Sequence, residues 1–521
     1  MKWSGERGAV SEPVIAADLQ SLLVGLAPGI NKDQTPLWLD ARDVMFDLSS
    51  VRPSSGFDAL QIVTGLFDEH TGNFDSATGL FDASQTIIPW PTSTFTRSIK
   101  GIHQQKLRDG RVLVVVGTDK DLVTFDSALG VTSSYNNLNG IDQATDVYDT
   151  TLWSFEQWGN WVVATNGVDS PKLLKKGTSD TFITLPGFAS VANKCQIFRT
   201  LGPHMIAFNT DNDSNQMLAC KADDVETWDY STNATAVELT FRDFAGPIIA
   251  AEKMGKNIAL YGEQGLHLLA YGGSFLFGAQ PAARGIKAVS KNSIAVVGSV
   301  HYAIQESGIF KTDGVSVAPC AAQQMGDWLR REIDWNQRTR ICALVDLQRN
   351  LIKWSVPLNG SNGNTRVILY NYANDTISFE STPFTAAARA QGLNVSLAGF
   401  SSGAVQAVTD NPTGRVPYLI SRPFPLDSKR AGWVYIDVLQ GRVKEAGLGM
   451  KVRFGGNLSD FDDAAVTNPW VSVSASMGVD EATFYVSREA VYMQLRLDGA
   501  ADTLWHLSGL DAHGMIGGRR F

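Results

Sequence analysis

Residues 153–174 read WSFEQWGNWVVATNGVDSPKLL, and this stretch decides the fold. β-Branched and aromatic residues run up to Thr165-Asn166-Gly167, and apolar residues resume at Leu173-Leu174 and continue to Leu185. Two strand-like runs across an Asn-Gly turn read as a β-hairpin. The unit recurs. Apolar runs begin at Arg111 (RVLVVV), Trp161 (WVVAT), His204 (HMIAFN), Asn257 (NIALYG), Val300 (VHYAIQ), Leu351 (LIKWSV) and Leu393 (LNVSLAGF), at intervals of 50, 43, 53, 43, 51 and 42 residues. A four-stranded blade takes roughly 40–50 residues, so the spacing predicts an all-β chain built on a β-propeller of about seven blades.

Working outward, residues 98–410 hold the hairpin units. One short helix is expected over 321–333, where Met325, Leu329 and Ile333 recur at i, i+4, i+8. Residues 1–60 read as an irregular N-terminal arm with turns at Leu26–Asn31 and Arg52–Phe57, expected to return and pack on the C-terminal part. Residues 411–521 show alternation in VYIDVLQGRV, MKVRFGG, WVSVSAS, ATFYVS and VYMQLRL, which predicts a separate β-rich platform domain.

Two stretches stand out by composition. Residues 61–97 form an insertion with a heptapeptide repeat: Thr64-Gly-Leu-Phe-Asp, Thr71-Gly-Asn-Phe-Asp and Thr78-Gly-Leu-Phe-Asp. Between Arg52 and Arg97 there are five acids and no Lys or Arg. Phe67, Asp68, Phe74, Asp75, Phe81 and Asp82 are therefore candidates for an interface or gate loop, set against a decorative hairpin in a tolerant loop. Residues 411–454 carry eight Lys/Arg against three acids in a chain of net charge −9. Arg415, Arg422, Lys429, Arg430, Arg442 and Lys444 are candidates for docking to a neighbouring subunit, set against solvated strand faces and direct phosphate contact.

The chemistry-bearing motifs are missing. The seven histidines are dispersed, and no HExxH, GxSxG, P-loop or strand-borne GxGxxG occurs. Asp211-Asn212-Asp213-Ser214-Asn215 starts like a calcium loop, but Gln216 and Ala222 stand where Gly and Glu are required. Adjacent carboxylates such as Asp223/Asp224 point to opposite faces of a strand, a poor acid/base pair. Four cysteines without a CxxC pair read as buried thiols, not zinc ligands or a disulfide scaffold. No enzyme, cofactor or metal is expected. The negative charge argues against tight DNA wrapping, though a like-charged wall would let DNA slide past. No apolar run reaches membrane-span length, and the N-terminus lacks a basic, apolar leader, so neither membrane insertion nor Sec export is expected.

Several motifs resemble the tail nozzle (hub, or packaged-DNA stabilisation) proteins of short-tailed bacteriophages. LAPGIN…PLWLDARDVMFDLSSVRPSSGF looks like that family's opening, with Arg52-Pro53 kept and Ser54-Ser55 intervening before Gly56. Phe155–Gly167 followed by Leu185-Pro186-Gly187 is similar to its most recognisable blade. Gly308-Ile309-Phe310, Asp313-Gly314, Lys353-Trp354, Tyr370-Asn371, Leu507-Ser508-Gly509 and Gly518-Arg519-Arg520 also fit, while the heptapeptide insertion has no counterpart. The resemblance implies a structural virion protein, made in the host cytoplasm and used in the tail. It implies a homohexameric ring at the distal end, below an adaptor protein and beside tail fibres or spikes. Genome DNA would be held by this ring and pass through its lumen without sequence-specific binding. The rival reading is a carbohydrate-binding or receptor-binding propeller, kept alive by 13 Trp, with Trp153, Trp158 and Trp161 as stacking candidates against an ordinary core role.

Overall fold

In the computed structural model every one of the seven apolar runs contains the second strand of an antiparallel meander. It describes residues 38–516 apart from 47–49, 60, 65–73, 76–79, 82–85, 90–97, 119–120, 127–151, 177–180, 245, 273–275, 321–324, 391–394, 410–415, 422, 426–433, 445–447, 456–468, 478–481, 491 and 500–505. Blade 1 is Ile99–Lys106, Val112–Thr118 and Leu122–Asp126; blade 2 is Ser154–Trp158, Trp161–Thr165, Lys172–Leu174 and Phe182–Thr184. Blade 3 is Cys195–Leu201, His204–Thr210, Gln216–Ala219 and Val237–Thr240; blade 4 is Ala250–Met254, Asn257–Tyr261, Gly265–Tyr271 and Phe277–Arg284. Blade 5 is Ile294–Val297, Val300–Gln305, Gly308–Thr312 and Val317–Pro319; blade 6 is Cys342–Asp346, Leu351–Pro357, Asn364–Asn371 and Thr376–Glu380. Blade 7 is Ala386–Ala388, Leu397–Gly399 and Val405–Thr409, completed at its outer edge by the N-terminal strand Gly56–Ala59. The fold is a β-propeller. Six blades are separate sheets and blade 6 is built into a 15-stranded sheet, so the count is six, or seven with the fused one.

The first strand of each blade is innermost. These strands pack in sequence around an axis, and Ala386–Ala388 closes the ring against Ile99–Lys106. Blades 2 to 5 turn from first to second strand through two residues: Gly159-Asn160, Gly202-Pro203, Gly255-Lys256 and Gly298-Ser299. The four glycines have φ of 60°, 58°, 60° and 60°, the positive value that a tight hairpin turn asks of its first position. Second strands are covered on both faces by neighbouring blades. Val162, Val163, Ala164, Ile206, Ala207, Ile258, Ala259 and Leu260 are all fully buried, so such strands read as unbroken apolar runs.

Blade 6 runs on into the second half of the molecule. Trp38–Arg42 lies between the outer strand of blade 6, to which it is parallel, and Tyr418–Ser421, to which it is antiparallel. Beyond it the sheet continues through Tyr492–Gly499, Leu448–Gly455, Val471–Met477, Ala482–Ala490, Val434–Lys444 and His506–Ile516. Val51–Pro53 meets the last of these at Val51 and Leu507. One core serves the junction: Ala41, Val44, Phe46 and Val51 pack with Tyr302, Ile352, Trp354 and Tyr370 from the propeller and with Leu419, Met450, Val452 and Leu497 beyond it. The expected helix forms over Gly326–Glu332, between blades 5 and 6, and Met325, Leu329 and Ile333 all enter this core. The inserted segment 61–97 shows two strand pairs, Gln61–Thr64 with Thr86–Pro89 and Phe74–Asp75 with Leu80–Phe81.

Candidate functional site

The propeller axis holds a group of charged side chains from several blades. Arg199 (blade 3) donates from Nη2 to Glu252 Oε1 (blade 4) at 2.8 Å, and Arg389, just past the first strand of blade 7, donates to Glu252 Oε2 at 3.2 Å. Lys253 Nζ meets Glu156 Oε1 (blade 2) at 2.8 Å and donates to the Thr200 hydroxyl at 2.6 Å. The Thr200 hydroxyl in turn donates to Glu156 Oε1 at 2.7 Å. The group therefore ties four blades across the axis. Burial acts to raise the Glu252 carboxyl, but the Arg199 and Arg389 guanidiniums outweigh it and hold it below the ordinary carboxylate range. Burial acts to lower Arg199, and Glu252 and Glu156 reverse that. His103 sits beside them with its basicity lowered, chiefly by burial, which favours the neutral ring.

Three cations and two carboxylates thus neutralise most of each other's charge, and Glu156, which accepts from the Thr200 hydroxyl, is also engaged by the Lys253 ammonium. The cavity lined by Gly101, Ser154, Glu156, Arg199, Glu252 and Arg389 measures about 210 Å³. That is below the roughly 300–1,000 Å³ of a drug-sized ligand site. Arg389 of blade 7 and Arg199 of blade 3 meet Glu252 of blade 4 at 3.2 and 2.8 Å, so side chains of opposite blades close the axis. Duplex DNA cannot run through the axis of this propeller.

A second cavity of about 650 Å³ lies at the rim where blades 1, 2 and 3 meet, lined by Arg108, Trp158, Asn160, Trp161, Lys176 and Asp223. Trp158 and Trp161 face each other across the Gly159-Asn160 turn, and Lys175 Nζ lies 5.1 Å from the Trp161 ring centroid. Trp153, the third stacking candidate, is removed: it is 3% exposed, and its indole N–H donates to the Thr118 carbonyl at 2.7 Å. Glycine explains its seat, because a Cβ on Gly117 would come within 2.3 Å of the Trp153 ring.

Of the gate-loop candidates, Phe67, Asp68 and Asp82 lie outside the described residues. Phe74 and Asp75 pair in the backbone with Phe81 and Leu80. Of the docking candidates, Arg415, Arg422, Lys429 and Arg430 lie outside the described residues. Arg442 and Lys444 stand on Val434–Lys444, opposite Gly509 and His506. The Asp211 carboxylate is taken up by the Asn193 and Lys194 amides at 3.0 and 3.1 Å, as in a polar turn. The axial group was missed by motif reading. Its trace in sequence is a charge inside the strand that precedes three of the apolar runs: Glu156 in SFEQW, Arg199 in CQIFRTL, Glu252-Lys253 in AAEKM.

These features define a class: a β-propeller fused through one blade to a second, larger sheet. Among solved structures the chain is similar to YCF48 bound to a D1 peptide, at 8% identity over 61% of this chain and 93% of that one, with a TM-score of 0.37. It is also similar to the β-propeller domain of Cps50 (Swd1) from Myceliophteria thermophila, at 9% identity over 60% and 97% of the two chains, with a TM-score of 0.38. The likeness is one of fold. No protein-family model matches the chain, and no curated protein matches its sequence.

Proposed function

We propose that the chain is a structural subunit of a short phage tail, the nozzle: a ring-forming, non-enzymatic protein beneath an adaptor that holds genome DNA and lets it pass. The observation that supports this most is the filled axis. A propeller whose centre is closed by its own ion pairs, and which shares a core with a second sheet, suits a rigid wall element better than a catalyst. The sequence resemblance supplies the particular wall. In this reading DNA runs between subunits, the 61–97 insertion sits at an interface or constriction, and 411–454 docks to a neighbour or the adaptor. Light scattering on the protein alone and mixed with candidate adaptor tests it: a mass of several subunits in either sample is expected, and a 56.5 kDa particle in both would count against it.

One observation favours a second reading, a glycan-binding propeller: Trp158 and Trp161 share a roomy cavity with Arg108, Asn160 and Asp223. Aromatic faces ringed by hydrogen-bonding groups suit sugars. A glycan array separates the two, since the nozzle reading expects no specific sugar to bind.

A further inference from the structure

Lys291 precedes the first strand of blade 5, and its backbone is clamped on both sides. The Ser290 hydroxyl donates to the Ile341 carbonyl; the Asn292 carbonyl accepts from the Ala343 amide at 2.8 Å, and the Asn292 side chain donates to the Trp153 carbonyl at 3.3 Å. From this rigid base the side chain reaches across one mouth of the axis to blades 2 and 3. Its Nζ lies 3.4 Å from the Asn166 carbonyl oxygen and 3.5 Å from Gln196 Oε1. Both are longer than the usual 2.7–3.2 Å of a good N–H···O bond. Among the described residues no carboxylate is paired with this ammonium. The Cys195 thiol, which interacts with it, is pushed up by burial, so it carries no compensating charge. Burial first, and then the Arg199 charge, bring the Lys291 amine down to about 7.

The ammonium borders a cavity of about 280 Å³ whose other walls include Leu152, Ile249 and Val289 on one hand and Gln196 and Thr339 on the other. An amine held by fixed backbone, with poor acceptors and an open space before it, is a half-built ion pair. We propose that this axial mouth is a carboxylate-binding site, with Lys291 as its charge partner, the Gln196 and Thr339 side chains as polar contacts and the aliphatic walls covering the stem of the acid. A single monovalent cation fits a carboxylate better than a doubly charged phosphate. The acid has two possible sources, a free small molecule or an Asp or Glu side chain presented by another chain. The site does not depend on the nozzle reading.

Calorimetry on the full chain tests it with glutarate against neutral glutaramide, and with Ac-Ala-Glu-Ala-amide against its Gln counterpart. Saturable binding of at least one acid is expected, with neither amide binding. Lys291→Met should weaken it tenfold or more, and Lys291→Arg should retain it. Glutarate binding identifies a free acid as sufficient; binding of the Glu peptide alone assigns the site to a protein side chain. A second readout needs no variant: acylation of Lys291 at pH 7.5, followed by mass spectrometry, should slow tenfold under saturating acid. No saturable binding by either acid, equal binding by Lys291→Met, or acylation unchanged by a bound acid would overturn the assignment.

Discussion

Lys353→Met should open the seam where the N-terminal strand completes the propeller. Lys353 and Glu380 are both fully buried, and Nζ reaches the two carboxylate oxygens at 2.9 and 3.1 Å. The same ammonium donates to the Ser55 carbonyl and hydroxyl at 3.2 and 2.9 Å, immediately before Gly56–Ala59, and lies 5.0 Å from the Phe57 ring centroid. Met nearly fills the volume of Lys, so little of the cost is cavity. The main term is a fully buried carboxylate that has lost its ammonium, worth about 3–5 kcal/mol. If opening is local, amide exchange at Phe57 and Ala59 should accelerate by about 100-fold or more, each 1.4 kcal/mol being a factor of ten. Exchange in blade 4 should stay unchanged. Adding Glu380→Leu should restore most of the loss, because an apolar pair removes the stranded charge. Denaturant unfolding of the two single variants and the double closes the cycle. A single-variant cost below about 1 kcal/mol, or strict additivity of the two changes, would refute the reasoning.

Other perturbations have equally definite outcomes. His301 is fully buried, accepts from the Tyr261 hydroxyl at 2.8 Å and donates to the Lys253 carbonyl at 2.9 Å, and burial lowers its pKa from 6.5 to about 4. Between those values the unfolded chain binds more protons, so stability should fall by on the order of 3 kcal/mol from pH 6.5 to 4, and His301→Gln should flatten that slope in thermal melts. Gly117→Ala pushes a methyl into the Trp153 ring and should cost about 1–3 kcal/mol with a shifted tryptophan emission; an unchanged melt would contradict the packing. Deleting 64–84 should leave circular dichroism and melting near wild type but impair assembly or DNA retention, and particles that keep their DNA would sink the interface role.

What could be read from sequence follows from where each element sits. Second strands such as Trp161–Thr165 and Asn257–Tyr261 announce themselves because both faces are covered, leaving an apolar run that survives in one dimension. The helix at Gly326–Glu332 was legible from three core residues at one-turn spacing, but its first turn could not be placed that way. The strand Trp38–Arg42 was not legible as a bridge. Its partners, Thr376–Glu380 and Tyr418–Ser421, lie more than 300 residues away, and no local pattern encodes so distant a pairing. The axial charges were missed for a related reason: Arg199, Glu252 and Arg389 become one cluster only when the ring closes. The rim cavity was partly visible, since Trp158 and Trp161 were singled out, but only the fold separates them from the buried Trp153.

The central claim is that the protein builds a channel wall and that the channel is not the axis of its own propeller. Electron-microscope imaging of the protein, alone and with its candidate adaptor, tests this most directly. The account predicts a ring with a central opening bordered by several propellers, each with density filling its own axis. Single propeller-sized particles in both samples, or an opening that coincides with one propeller's axis, would contradict it.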